Sequence, residues 1–201
     1  NTRRVMRQVA RVVDAPRYVL LVDGGAKKIE NIEHILDIPI LKATQGSKLS
    51  VAADYVQNNS TDATLVFVDD TLHLPKDYNW YARLTGLLTI SGVGASSGRI
   101  VSRKDLIVNS GGVINSDGVC IPIFLGYPRY YQGYLGNAEW IRNLSILESD
   151  ICATTQTNIS KYRSTSKDGI TFDGYFMWLR KSNIRLVMSP HVTAMSDSER
   201  V

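Results

Sequence analysis

The apolar positions of this chain fall first at helical spacing and then in short continuous runs. Val5, Met6, Val9, Val12 and Val13 share one helical face, with Thr2 able to cap it and Pro16 closing it. "YVLLVD" (18–23) is a continuous apolar run and predicts a buried parallel strand. Gly24-Gly25 then turns into a helical pattern at Ile29, Ile32, Ile35 and Leu36. "IPILKA" (38–43) predicts a second strand, Gly46 precedes a helix carrying Leu49, Ala52, Ala53 and Val56, and "TLVFVDD" (64–70) predicts a third strand. This alternation favours an α/β sheet with right-handed crossovers.

The second half changes character. "PKDYNWYARLTGLL" (75–88) predicts a helix with Pro75 in its first turn. "VGASSGRIV" (93–101), "LIVNSGGVI" (106–114) and "IRNLSIL" (141–147) predict strands, and the Gly- and Tyr-rich "FLGYPRYYQGYLG" (124–136) an ordered loop. "TFDGYFMWLRKS" (171–182) predicts a helix and "IRLVM" (184–188) a final strand. With no internal repeat and no Pro/Ser linker, residues 1–201 are expected to form one domain. Its 1–90 half is mainly parallel and its 91–201 half is a mixed, partly antiparallel extension.

Composition narrows the class. A chain of 201 residues with 44% hydrophobic and 21% charged content is large enough for a real core and fits a soluble globular protein. No apolar run approaches the ~18 residues of a membrane span. The N-terminal stretch lacks the apolar region of a signal peptide, which points to the cytoplasm. Part of the net charge of +4 lies in Arg3, Arg4, Arg7 and Arg11. That Arg face suits anionic lipid at the inner side of a membrane or an acidic partner, or is a solvated helix face. No nucleic-acid-binding signature accompanies it. Cys120 and Cys152, without C-x-x-C spacing, are expected to be reduced core residues, and His34, His73 and His191 have no zinc-like spacing.

Candidate chemistry gathers at strand ends. "VFVDDT" (66–71) ends an apolar strand in two adjacent carboxylates, which repel each other and lose solvation unless something compensates. In open α/β sheets ligands collect at the carboxyl ends of strands, and Asp23 shares that placement with Asp69 and Asp70. The alternatives are a turn-forming Asp23 before Gly24-Gly25 and an acid pair that caps the next segment or faces water.

The order of these features resembles that of the family 2 nucleotide-sugar glycosyltransferases, in the branch that builds bacterial polysaccharides such as rhamnose-containing glycans. The resemblance lies in "VLLVDGG", "LVFVDDTLHLPKDY", "GVGASSGRIVSRKDLIVNSGGV", "GY…GYLG…IRNLS" and "FDGYFMWLRKSNIRLVMSP", in that order. It implies a GT-A-like α/β fold whose mostly parallel central sheet is flanked by helices. It implies that Asp23 meets the nucleoside base, Asp69 the ribose, and Asp70 a divalent metal, Mg or Mn, on the diphosphate. Asp173 becomes the general base of an inverting transfer from a nucleoside-diphosphate sugar to a glycan or lipid-linked acceptor. The chain departs from the family pattern at several positions. It begins at the helix after the family's first strand, as expected for a domain cut from a larger protein or for a divergent copy. Thr71 stands where a third acid is common, and Gly174 and Trp178 replace an acid and a basic residue of the late motif. Glu148-Ser149-Asp150 occupies a usual Gly-Ala pair, and Met195 or Ser196 a usual histidine. These departures keep open a non-catalytic binding or scaffold domain on the same fold.

Overall fold

A computed structural model describes residues 5, 8, 21–23, 40–42, 48–59, 63–77, 79–166 and 170–197. The Arg face of the first segment, apart from Val5 and Gln8, lies outside the described residues, as does the helix expected after Gly24-Gly25. Strands β1 (Leu21–Asp23) and β2 (Ile40–Lys42) pair in parallel, with Asp23 opposite Lys42. Helix α1 (Lys48–Asn59) follows, then β3 (Thr64–Val68) and the short β4 (Leu72–His73).

The helix expected over 75–88 is shorter, α2 (Trp80–Gly86). The Asp77 carboxylate accepts from the Asn79 backbone N–H at 2.9 Å and holds a turn ahead of it. Strands β5 (Val93–Ser102), β6 (Ile107–Asn109), β7 (Gly112–Ile114), β8 (Cys120–Pro122) and β9 (Arg142–Leu144) come next. Gly111, at φ +74°, divides the expected strand 106–114 into β6 and β7. Besides the short β4 and β8, two longer elements escape the sequence pattern, β10 (Ile151–Thr155) and α3 (Gln156–Thr165). Helix α4 (Phe172–Lys181) and the long β11 (Arg185–Ser196) close the fold.

The main sheet has seven strands in the order β3-β10-β5-β11-β4, with β6 beside β5 and β9 beside β11. The expected mostly parallel sheet is therefore corrected to a mixed one. Among the described residues its single parallel pair is β5 with β11, because β10 enters antiparallel between β3 and β5. β11 runs past the expected end at Met188 through a register shift between Ser189 and Thr193. The shifted segment presses on β5. A Cβ at Gly98 would lie 2.6 Å from the Val192 carbonyl oxygen, so only glycine fits there.

Alternation along the strands feeds two cores. Leu65 and Phe67 of β3 face one side, where Leu49 and Ala53 of α1, Ile159 and Tyr162 of α3, and Tyr175, Phe176 and Leu179 of α4 pack over the sheet. Val66 and Val68 face the other, with Ile151, Ala153, Val192 and Ala194 against Trp80 and Leu84 of α2. All ten residues of β5 are buried, polar ones included. Ser96 is accommodated by donating to the Leu84 carbonyl at 2.7 Å. Cys152 is buried as expected, whereas Cys120 is exposed on β8 rather than in the core. No helix among the described residues is long and apolar enough to cross a membrane.

Candidate active site

The carboxyl end of β3 is a tight acidic turn. The Asp69 backbone N–H donates to the Asp150 carbonyl at 2.8 Å, extending the β3–β10 ladder by one residue. The half-buried Asp69 carboxylate accepts from the Thr71 backbone N–H at 3.0 Å and from Thr71 Oγ1 at 2.7 Å. Thr71 thus stabilises Asp69 as an Asx turn does, and its hydroxyl has a structural use where a third acid was a candidate. Asp70, next along the turn, is exposed.

The strand ladder brings further acids to this edge. Glu148 lies on the loop into β10 and is 6% exposed. Its Oε1 accepts from the Asp150 N–H at 2.9 Å. Burial, more than any other cause, pushes its carboxyl up to about 7; the backbone N–H of Asp150 opposes this and the Asp150 and Asp69 charges add to it. The burial of Glu148 follows from its place on the loop into β10, an interior strand between β3 and β5.

On the other side of the turn, β4 pairs with the end of β11, setting His73 opposite Met195. His73 Nε2 lies 2.5 Å from Asp197 Oδ1, and Arg103 reaches the same oxygen at 3.0 Å through Nη2. Desolvation raises the Asp197 carboxyl, but the bonds from His73 and Arg103 outweigh it and hold the group below its usual range. The spacing of the histidines gave no sign of this cluster; the cue lies in a strand pairing across more than half the chain.

Asp173 stands exposed in the first turn of α4. Thr171 caps the helix by accepting from the Gly174 N–H at 3.2 Å. Phe172 meets Phe67 edge-on at 5.0 Å, which sets the helix start against β3 two residues before Asp69. The acid missing at Gly174 has a steric reason, since a Cβ there would come within 2.4 Å of Tyr162 Oη. Trp178 packs on Tyr162 and Tyr175 in place of a basic residue. For Asp23 the backbone is described and ends β1 as expected, while its side chain lies outside the described residues.

Comparison with solved structures finds a similar fold elsewhere. A crystal structure of GalNAc-T7 with UDP, GalNAc and Mn2+ superposes over 98% of this chain with a TM-score of 0.61, at 12% sequence identity. The fold is glycosyltransferase-like. This chain covers 42% of the GalNAc-T7 chain. A second likeness, TM-score 0.47 at 10% identity over 90% of this chain and 85% of the other, is to A197 from STIV. No protein-family model and no curated protein matches the sequence.

GalNAc-T7 was crystallised with Mn2+, so the donor set here bears on whether such an ion fits. Among the described residues no three His, Cys, Asp or Glu side chains converge on a common metal position. In the turn after β3, Asp70 offers an exposed carboxylate. That is the kind of single hard ligand Mg2+ or Mn2+ shares with substrate phosphates and water. The site therefore suits a metal completed by its substrate and does not suit a protein-only cage.

Proposed function

We propose that this chain is a glycosyltransferase that moves a sugar from a nucleoside-diphosphate donor to a glycan or lipid-linked acceptor with inversion, in cell-surface polysaccharide synthesis. The observation that carries the reading is the likeness of nearly the whole chain to a UDP-bound glycosyltransferase, with the Asp69–Asp70 turn at the carboxyl end of β3. In this reading residues 1–90 hold the nucleotide and residues 91–201 serve the acceptor. Asp23 contacts the base, and Asp69, pre-oriented by Thr71, accepts from the ribose hydroxyls.

The acceptor oxygen attacks the anomeric carbon, the bond to the diphosphate oxygen breaks, and a carboxylate takes the acceptor proton. Asp173, exposed at the start of α4, has this role. A divalent ion on Asp70 would neutralise charge developing on the diphosphate. Other domains of a larger chain and a membrane surface near the Arg-rich first segment are the further expected partners.

A second reading has specific support. The acid position at Gly174 is closed by Tyr162 and the third acid is Thr71, which favours a binding or scaffold domain that keeps the fold without the reaction. Calorimetric titration with UDP, dTDP and GDP, with and without Mn2+, decides between them. The transferase reading expects one nucleotide to bind, more tightly with Mn2+, and Asp70→Ala to abolish the Mn2+ effect. If none of the three binds, the scaffold reading replaces it.

A further inference from the structure

A cleft of about 520 Å³ opens between the segment after β4, helix α2, β5 and the shifted part of β11. Its charged core is Arg99, whose side chain is 5% exposed. Nη1 donates to Glu139 Oε1 at 3.1 Å, Nε to Thr193 Oγ1 at 3.4 Å and Nη2 to the Pro190 carbonyl at 3.5 Å. The last two bonds are at the long limit of such contacts. Glu139 is also shared. Burial and then the Arg99 charge hold the neighbouring Arg142 guanidinium below its ordinary value, while Glu139 alone pulls it up. One carboxylate therefore serves two guanidinium groups.

The rim repeats the imbalance. Arg83 pairs with Asp77 at 2.7 Å. Arg129, 41% exposed in its side chain, has its nearest carboxylate, Asp105, at 3.9 Å. Lys76 adds a further cation to the lining. Four lining cations, Lys76, Arg83, Arg99 and Arg129, thus face two lining acids, Asp77 and Glu139, with Asp105 outside the lining as a distant third, so positive charge remains in excess. In a concave site such an excess concentrates potential, and guanidinium forks match carboxylate, phosphate and sulfate geometry. Beside them Tyr130 is 75% exposed, with the Arg129 guanidinium carbon 5.7 Å from its ring centroid. An oxyanion-binding fork next to an open aromatic face fits a charged sugar better than a bare ion.

We propose that this cleft binds an acidic glycan, with Arg99 and Arg129 on the oxyanion and the Tyr130 ring against the face of the sugar. Resting on the glycosyltransferase reading, this makes the acceptor an anionic saccharide. The test is calorimetric titration of the full chain, without nucleotide, with digalacturonate, glucose 6-phosphate, inorganic phosphate and uncharged maltose. At least one anionic sugar is expected to bind about tenfold or more tightly than maltose and than phosphate alone, a margin typical of a charge-assisted hydrogen bond. Which of the two binds tells a carboxylate acceptor from a phosphorylated one. Arg129→Ala, at a half-buried position, and Tyr130→Ala, at an exposed one, should each weaken that binding several-fold with an unchanged melting temperature. Equal binding of maltose or of phosphate, or binding untouched by both substitutions, overturns the proposal. Nucleotide titration fails or succeeds separately: acidic-sugar binding without nucleotide binding would keep the cleft and remove the transferase reading.

Discussion

A carboxyl group buried beside two other acids ionises reluctantly, and Glu148 is such a group. Its ordinary value of 4.5 is raised to about 7 in the folded chain, so between those pH values the folded state holds a proton that the unfolded state has released. Stability from Glu148 is therefore fully present below pH 4.5 and is lost as pH rises through 7. The shift corresponds to on the order of 3 kcal/mol as an upper bound. Glu148→Gln keeps an oxygen to accept from the Asp150 N–H and carries no charge. Urea denaturation between pH 5 and 8 should show the wild type losing stability relative to the variant as pH rises. Parallel curves for the two proteins would contradict the burial of an ionisable group here. The sequence hinted at Glu148 only through its place in a departed motif. Its burial follows from β10, and nothing local in "LESDICATT" signals an interior antiparallel strand.

At the scale of elements, what the sequence revealed depended on how regular each pattern was. β3 and α4 lie close to their expected spans because their apolar spacing is unbroken, and β5 does so although Ser96, Ser97 and Arg99 interrupt its apolar residues. β10 and α3 were missed because "ICATTQTNISKYRST" mixes Thr, Asn and Ser with few apolar residues, so its burial comes from packing rather than pattern. Gly174 shows the reverse case, a sequence oddity that the packing explains. In an ordinary helix Gly→Ala gains roughly 0.5–1 kcal/mol. Here the new Cβ would stand 2.4 Å from Tyr162 Oη and 3.1 Å from Thr171 Oγ1, and overpacking of that kind costs roughly 1–3 kcal/mol. The clash should win. Gly174→Ala is expected to lower the melting temperature, and Tyr162→Phe, which removes the offending oxygen, should recover most of the loss in the double variant. A Gly174→Ala protein as stable as the wild type would show that Tyr162 moves aside freely. The same substitution would then reopen the question of why the late motif lacks its second acid.

For the whole molecule, the position of β5 organises stability. It is buried along its length between β10 and β11, with cores on both faces, whereas β8 is exposed throughout on a separate two-stranded sheet. Opening should therefore be uneven, since amides in dense contact exchange only on global unfolding and surface hairpins open locally. Native-state hydrogen exchange is expected to find the slowest amides in β5 and the adjoining part of β11, and much faster ones in β7 and β8. The acidic turn after β3 lies between these extremes. Its backbone is held by the Asp69 bond to Asp150 and the Leu72 N–H bond to the Asp69 carbonyl at 3.2 Å, yet Asp70 and Thr71 face solvent. A nucleotide that engages Asp69 and Asp70 must stiffen this turn, and binding at 100 times the dissociation constant stabilises the folded state by about 2.7 kcal/mol. UDP with Mn2+ should accordingly slow exchange at residues 69–72 more than in the β7–β8 hairpin. Slowing confined to the Arg99 cleft would instead place the nucleotide on the cationic side of the molecule. The Asp69–Asp70 turn would then be a strand-end cap, the alternative that its sequence always allowed.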